Sequence, residues 1–196
     1  MHINSHFGIG IIFASILNYF YAFNLFEFSL IVVSSFICDF DVFLSKFAKD
    51  HNHRMLITHS IIPSVIIIII GLILNWLVLT LIGITYFIHI VIDTFDWGTN
   101  FFYIQKKQVG IKFMFTKDEF ENLSHYLSQY KNPASFFDSK YYNNKICLTI
   151  EISIFILMVL SVIIFAFQYV LIILLYIPFF GLHLSRHFQL KKLEVN

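Results

Sequence analysis

Histidine and acidic residues at the edges of long apolar segments are the residues of this chain best suited to chemistry. His89 and Asp93 are four positions apart, a spacing that puts imidazole and carboxylate on one helical face. The pair could ligate a metal ion, or it could be a hydrogen bond that satisfies both groups within a membrane. Asp39 and Asp41 lie where a helix is predicted to end, and the helix dipole disfavours carboxylates there unless a cation compensates them. The alternative is two solvated aspartates.

A further group of candidates precedes another apolar segment. His51, His53 and His59 lie within nine residues and are accompanied by Arg54. We interpret His51 as a loop histidine. Neutral imidazole combined with carboxylate oxygen is a donor set of zinc and related metals. The guanidinium of Arg54 suits bidentate binding of a phosphate.

The remaining candidates also lie at segment ends. His6 begins the first apolar segment, and Glu151 lies near the start of a later one. Ionisable groups in such places are costly unless they pair, ligate or line a polar cavity. His183 and His187 repeat at a four-residue spacing beside Arg186, and we interpret them as solvated or headgroup-facing. Because these ends are all predicted on one side of a membrane, they could converge on a single metal site.

Long apolar runs must position these residues, since 58% of the 196 residues are hydrophobic and 13% are charged. Soluble domains carry about 25% charged residues. The apolar runs cover residues 7–23, 28–38, 61–92 and 146–184. A membrane span needs about 20 residues, so each of the last two runs predicts two helices, with turns near Asn75 and Gln168. The sequence therefore predicts an all-α membrane helix bundle of about six helices in three hairpins, with four spans as the alternative.

The positive charges predict the orientation of this bundle. All 13 Lys and Arg residues lie outside the predicted hairpin tips. The positive-inside rule then places both termini in the cytoplasm and makes the chain a multi-pass protein of the cell or inner membrane. We predict one membrane-embedded domain over residues 1–196, with a cytoplasmic region at 96–147. The first apolar segment lacks a basic start and a cleavage site, so it is predicted to be a retained helix.

The net charge and the cysteine spacing argue against nucleic-acid binding and against a cysteine-based metal or redox motif. The net charge of +1 provides no general field for nucleic acid, and we find no direct nucleic-acid signature. Cys38 and Cys147 have no partner at the spacing of a metal or redox motif. We interpret both as buried, inert thiols, because free cysteine behaves as a small hydrophobic residue.

The order of these motifs resembles the LexA-binding, inner-membrane-associated hydrolase family, also described as membrane-bound metal-dependent hydrolases. The matching elements are His6; Asp39-Phe-Asp41; His53-Arg54-Met-Leu-Ile-Thr58-His59-Ser60; His89-Ile-Val-Ile-Asp93-Thr94; Trp97-Gly98; and Glu151. The chain departs from the family pattern at Cys38, where proline is usual, and at Met55, where glycine is usual. The family is distantly similar to zinc-dependent phospholipase C and P1-type nucleases.

The resemblance implies hydrolysis of a phosphoester, of phospholipid or nucleotide type, by metal-activated water. It implies a divalent transition metal of zinc type, with one to three ions. The metal ligands it predicts are His6, Asp39, His59, His89 and Asp93. Asp41, His53 and Glu151 are the predicted catalytic residues, as further ligands or general base, and Arg54 is predicted to hold the substrate phosphate.

Two other functions are compatible with the same residues. A metal-ion transporter or channel could use His and Asp residues in spans, although such proteins usually place polar groups near the membrane midplane. A membrane scaffold could bind a cytoplasmic protein partner through region 96–147. The predicted partners of the hydrolase are membrane lipid and the phosphoester substrate.

Overall fold

Three hairpins of apolar helices build the fold. A computed structural model describes residues 2–48, 52–103 and 108–195, and in these ranges it contains helices, turns and one isolated β-bridge between Thr99 and Val109. His51, interpreted above as a loop residue, and Lys49, Lys106 and Lys107, counted among the positive charges, lie outside the described residues.

The first hairpin joins α1 (Ile3–Tyr21) to α2 (Leu25–Ser34). Its tip is a capping box, in which Asn24 accepts from the backbone N–H of Glu27 and the Glu27 carboxylate accepts from the backbone N–H of Asn24. The 3₁₀ helix η1 (Ile37–Phe47) follows α2 at an angle of 41°. The bend carries the chain past the end of the apolar run and presents Asp39 and Asp41 there.

The second hairpin joins α3 (Ile61–Ile73) to α4 (Leu77–Asp96). Asn75 has a φ of 50° in the connecting turn, at the predicted position. The two helices approach closely, since a Cβ added at Gly83 would lie 2.8 Å from the backbone nitrogen of Ile68. Two short 3₁₀ turns, His53–Met55 and Ile57–His59, precede α3 and lie next to η1.

The last hairpin joins α8 (Lys145–Phe165) to the helical segment Phe167–Val195, whose final part is α9 (Tyr176–Val195). The break falls at Ala166, close to the predicted turn, and Tyr169 departs from helical geometry just beyond it. The described part of region 96–147 contains three further short helices. They are α5 (Lys117–Glu121), α6 (Leu123–Leu127) and α7 (Pro133–Asn143).

The prediction of an all-α, multi-span membrane bundle is confirmed. Within the described ranges, four helices are long and apolar enough to cross a membrane: Ile3–Tyr21, Leu77–Asp96, Lys145–Phe165 and Phe167–Val195. The bent pair α2 and η1 would be a fifth span, and α3 is apolar but shorter. Six apolar segments therefore form the three predicted hairpins, and some are short, as expected.

The apolar core lies where α1 packs against α2 and α8. Phe7, Ile11, Phe28, Ile31 and Met158 are its largest fully buried side chains. Because α4 packs against α2 as well as α3, the C-terminal half of α4 meets the end of α2 and the start of α1. This arrangement brings the polar ends of these helices together.

Candidate metal centre

His89 and Asp93 lie on the buried face of α4, as their spacing predicted. Nδ1 of His89 donates to the backbone carbonyl of Ser35, 2.7 Å away, at the end of α2. That carbonyl lies in the last turn of a helix, where acceptors lack an intrahelical partner. Nε2 of His89 consequently faces the other way, 3.5 Å from Asp93 Oδ2 and 3.6 Å from Asp39 Oδ1.

His59 is held in the same manner by the η1 aspartates. Its Nδ1 donates to Oδ2 of Asp41 at 2.7 Å, and the same oxygen accepts from the hydroxyl of Thr58. Nε2 of His59 faces inward, 3.7 Å from Asp39 Oδ1 and 3.5 Å from Asp93 Oδ2. Asp41 therefore lies behind His59 and fixes the orientation of the ring, while Asp39 faces the centre.

His6 and His53 complete the group from two further elements. His6 enters from α1, with Nε2 3.2 Å from Asp93 Oδ1 and its ring 3.8 Å from the ring of His89. His53 belongs to the turn before α3, and its ring lies 5.0 Å from that of His59. Burial, followed by the nearby positive charges, lowers the pKa of His53 to about 4. At neutral pH this imidazole is uncharged, which is the form that ligates metals.

These side chains form overlapping sets whose ligand atoms lie within 4.8 Å of one another. The sets are His6, Asp39, His89 and Asp93; Asp39, His53 and His59; and Cys38, His59 and His89. The structure thus brings together all of the predicted metal ligands and His53. We call these seven residues, from His6 to Asp93, the metal-type cluster.

The donor set of the metal-type cluster fits a divalent transition metal. Buried polar atoms are normally hydrogen-bonded. Nε2 of His6, His59 and His89 is buried, yet forms no well-directed hydrogen bond to any residue that the structure describes. Burial by itself lowers the pKa of His59, but interactions with three aspartates outweigh it and hold that pKa well above its ordinary value. The carboxylates therefore draw positive charge into a site lined with imidazole nitrogen.

Arg54 lies in the wall of the cluster. Its Nη2 is 3.2 Å from Asp93 Oδ1, and its Nη1 is 2.9 Å from Asp96 Oδ1. The guanidinium is buried, and Asp96 also accepts from the backbone N–H of Trp97 at 2.7 Å. The residue predicted to hold a substrate phosphate is thus engaged with two carboxylates of the protein.

Glu151 lies in a different polar group. Asn4 donates to its carboxylate, and the Tyr141 hydroxyl donates to Oε2 at 2.5 Å. The Tyr176 hydroxyl accepts from Asn4 at 3.0 Å. We call these four residues the Glu151 network. Glu151 belongs to none of the potential ligand sets found among the described residues.

His183 and His187 lie beside α7. The Tyr142 hydroxyl is 2.9 Å from Nδ1 of His183, and Nδ1 of His187 is 2.6 Å from Asp138 Oδ2. The interpretation of both as solvated or headgroup-facing residues is wrong for His183, which is buried among aromatic rings. The polar helix ends were predicted to meet at one site. In the described residues only some of them form the metal-type cluster, while Glu151, His183 and His187 lie outside it.

Three groups in or beside the metal-type cluster were not predicted from the sequence. Cys38 was interpreted as inert, but its sulfur belongs to one of the ligand sets. Asp96 follows Asp93 at a helical i,i+3 spacing, a signal that could have indicated a shared face. The role of the Ser35 carbonyl could not be predicted from the sequence, because every residue type has a backbone carbonyl.

Comparison with known proteins identifies a family to which the chain is similar. No curated protein and no solved structure matches the chain. A family model described as YdjM inner membrane protein matches residues 1–176. The match covers most of the chain and confirms the inner-membrane part of the predicted resemblance. The chain belongs to the YdjM inner membrane protein family.

Proposed function

We propose that this protein is a membrane-bound, metal-dependent hydrolase of a phosphoester and that the metal-type cluster is its active site. One observation carries the proposal. The Nε2 atoms of His6, His59 and His89 meet the carboxylates of Asp39 and Asp93 at distances of 3.2 to 3.7 Å. Three imidazoles around two carboxylates exceed what one-to-one ion pairing of buried groups requires.

Hydrogen bonds behind the ligands support a metal-binding role. Metal-ligating histidines commonly donate their second ring N–H to a carboxylate or a backbone carbonyl, which fixes the tautomer and the ring orientation. Asp41 does this for His59, and the carbonyl of Ser35 does it for His89. In the neutral form of each ring, Nε2 then carries the lone pair that can ligate a metal. A bound zinc-type ion would supply Lewis-acid chemistry and activate water for hydrolysis.

The remaining predicted residues receive different roles in this proposal. His53 is partly exposed at the edge of the cluster and uncharged, so we propose it as a further ligand or as the proton acceptor. Arg54 orients Asp93, because its guanidinium already contacts both Asp93 and Asp96. Glu151 on α8 maintains the packing of that helix against α1 through Asn4 and against α7 through Tyr141.

A lipid-borne substrate suits the surroundings of the site. Phe43 and Phe47, which follow the site aspartates in η1, are 76% and 71% exposed. Exposed apolar side chains beside a polar site are typical of a surface that contacts a membrane. We propose that the C-terminal end of η1, which carries both side chains, lies at the membrane surface. We also propose that both termini are cytoplasmic, in keeping with the absence of Lys and Arg from the hairpin tips.

The first test compares two buried histidines. Wild-type protein purified in detergent is expected to retain stoichiometric transition metal by elemental analysis and to hydrolyse a phospholipid. His89→Ala is expected to lose both properties. His183→Ala is the matched control, because His183 is buried outside the ligand sets, and it should retain both. Metal-free wild type, or unchanged metal in His89→Ala, would contradict the proposal.

Three further results would redirect the proposed function. Hydrolysis of nucleotides and not of phospholipids would replace the lipid substrate with a soluble one. Metal flux into liposomes without hydrolysis would favour the transporter. A phenotype that depends on region 96–147 and not on His89 would favour the scaffold.

A further inference from the structure

Cys38 has surroundings unlike those of an inert core cysteine. It lies in η1 directly before Asp39, and its side chain is 4% exposed. Its Sγ and one ring nitrogen from each of His59 and His89 all lie within 4.8 Å of one another. One sulfur and two imidazoles at this separation form a Cys/His donor set of the kind that binds zinc.

The two histidines give independent support for a ligand at this position. His59 and His89 are 0% and 1% exposed. Their Nδ1 atoms are engaged with Asp41 and with the carbonyl of Ser35, while Nε2 of each forms no well-directed hydrogen bond among the described residues. In the neutral form of each ring, Nε2 is a buried electron-pair donor, and the sulfur lies within 4.8 Å of one nitrogen of each ring.

We propose that Cys38 is a metal ligand, and that its sulfur makes the cluster select zinc-class ions over magnesium and calcium. The proposal rests on the proposed function, because it concerns the same site. Thiolate ligands favour soft or borderline ions, whereas carboxylate and water ligands suit hard ones. When the ion binds, the S–H bond of Cys38 breaks, the proton leaves to solvent and a sulfur electron pair forms the bond to the ion.

Cys147 provides a matched control within the same chain. It is also free and 4% exposed. Its Sγ is 3.7 Å from Sδ of Met114, in an apolar cluster that includes Tyr141. It belongs to none of the ligand sets among the described residues. The two cysteines are therefore equal in burial and differ in their neighbours.

Cobalt(II) is the probe, since a cobalt–thiolate bond gives an intense charge-transfer absorption that imidazole and carboxylate ligands do not give. Metal-free, full-length protein in detergent is titrated with Co²⁺. Wild type and Cys147→Ser are expected to show the charge-transfer band. Cys38→Ser is expected to lose it while His and Asp still bind cobalt. Competition with Mg²⁺ should then displace cobalt more readily from Cys38→Ser than from wild type.

The outcomes separate this inference from the proposed function. Wild type that binds cobalt without the band, or Cys38→Ser that retains the band, overturns the role of Cys38 and leaves the metal site standing. Wild type that binds no cobalt overturns both. If Cys38→Ser does not fold, X-ray absorption of zinc-loaded Cys147→Ser decides. A sulfur ligand at about 2.3 Å is expected, and a shell of nitrogen and oxygen alone contradicts the inference.

Discussion

The metal-type cluster and the Glu151 network are both buried and polar, yet their hydrogen bonding differs. In the Glu151 network, the Asn4 amide and the Tyr141 hydroxyl donate to the carboxylate, so both oxygens of Glu151 meet a donor. In the metal-type cluster, imidazole Nε2 atoms face carboxylate oxygens, and most of the atoms at its centre are electron-pair donors.

The contrast indicates how a buried polar group in a membrane protein can be interpreted. A network whose donors and acceptors balance is stable by itself and needs no ligand. A group of acceptor-type atoms needs positive charge, which protons or a metal ion can supply. Arg54 supplies part of it at the wall, through Asp93 and Asp96. Burial and polarity alone therefore do not identify a site, whereas the balance of donors and acceptors does.

Asp93→Ala should give the largest effect. Asp93 contacts His6, His59, His89 and Arg54, so its removal is expected to abolish metal binding in elemental analysis. It also leaves Arg54 with fewer compensating charges, which is expected to lower the free energy of unfolding by about 3–5 kcal/mol. A second change, Arg54→Met in the same protein, should restore stability in thermal melts and leave metal binding absent. If Asp93→Ala retains its metal, the metal-type cluster is not the metal site and its contrast with the Glu151 network is wrong.

Arg54→Lys tests whether this residue orients a ligand or binds the substrate. Lysine keeps the charge but loses the fork that reaches both Asp93 and Asp96. Residues that orient metal ligands typically change metal affinity by about 10–100-fold. We expect weaker zinc binding in competition titrations with a chelator. If zinc affinity stays constant and only KM for the phosphoester rises, Arg54 holds the substrate phosphate, as the sequence first suggested.

Glu151→Ala should affect stability and leave the metal in place. It removes the acceptor of Asn4 and Tyr141, and an unsatisfied buried polar group costs about 1–3 kcal/mol. Thermal unfolding in detergent measures this loss. Glu151→Gln should lose less, because its amide oxygen can still accept from Tyr141. If the metal content falls while the melting temperature is unchanged, the metal-type cluster and the Glu151 network form one functional site.

Asn144→Ala gives the smallest expected effect and serves as a baseline. The Asn144 side chain caps α8 by accepting from the backbone N–H groups of Ile146 and Cys147 at 2.9 and 3.3 Å. Loss of such a cap costs about 1 kcal/mol. A melting temperature lowered slightly, with metal content equal to wild type, is the expected result. Loss of metal in Asn144→Ala would show that general destabilisation empties the site.

Much of the fold can be predicted from the sequence because a membrane restricts the structures that an apolar segment can adopt. Apolar length predicts helices, since backbone groups in lipid must be paired within the segment. The turn at Asn75 was predicted correctly because the apolar run 61–92 is too long for a single span. Between Lys117 and Leu127, by contrast, the chain forms two short helices that break at Asn122, where φ and ψ are −110° and 30°. Outside the apolar runs, length no longer constrains the chain.

The sequence by itself determined which residues could ligate a metal, because imidazole and carboxylate spacing along a helix fixes their shared face. His89 and Asp93 are the clearest case. Only the tertiary structure decided which polar helix ends meet. It grouped Asp39 with His59 and His89, and it separated Glu151 from them, since helix packing and not sequence spacing sets those distances. Cys38 likewise acquired its significance only from the imidazoles that packing placed beside it.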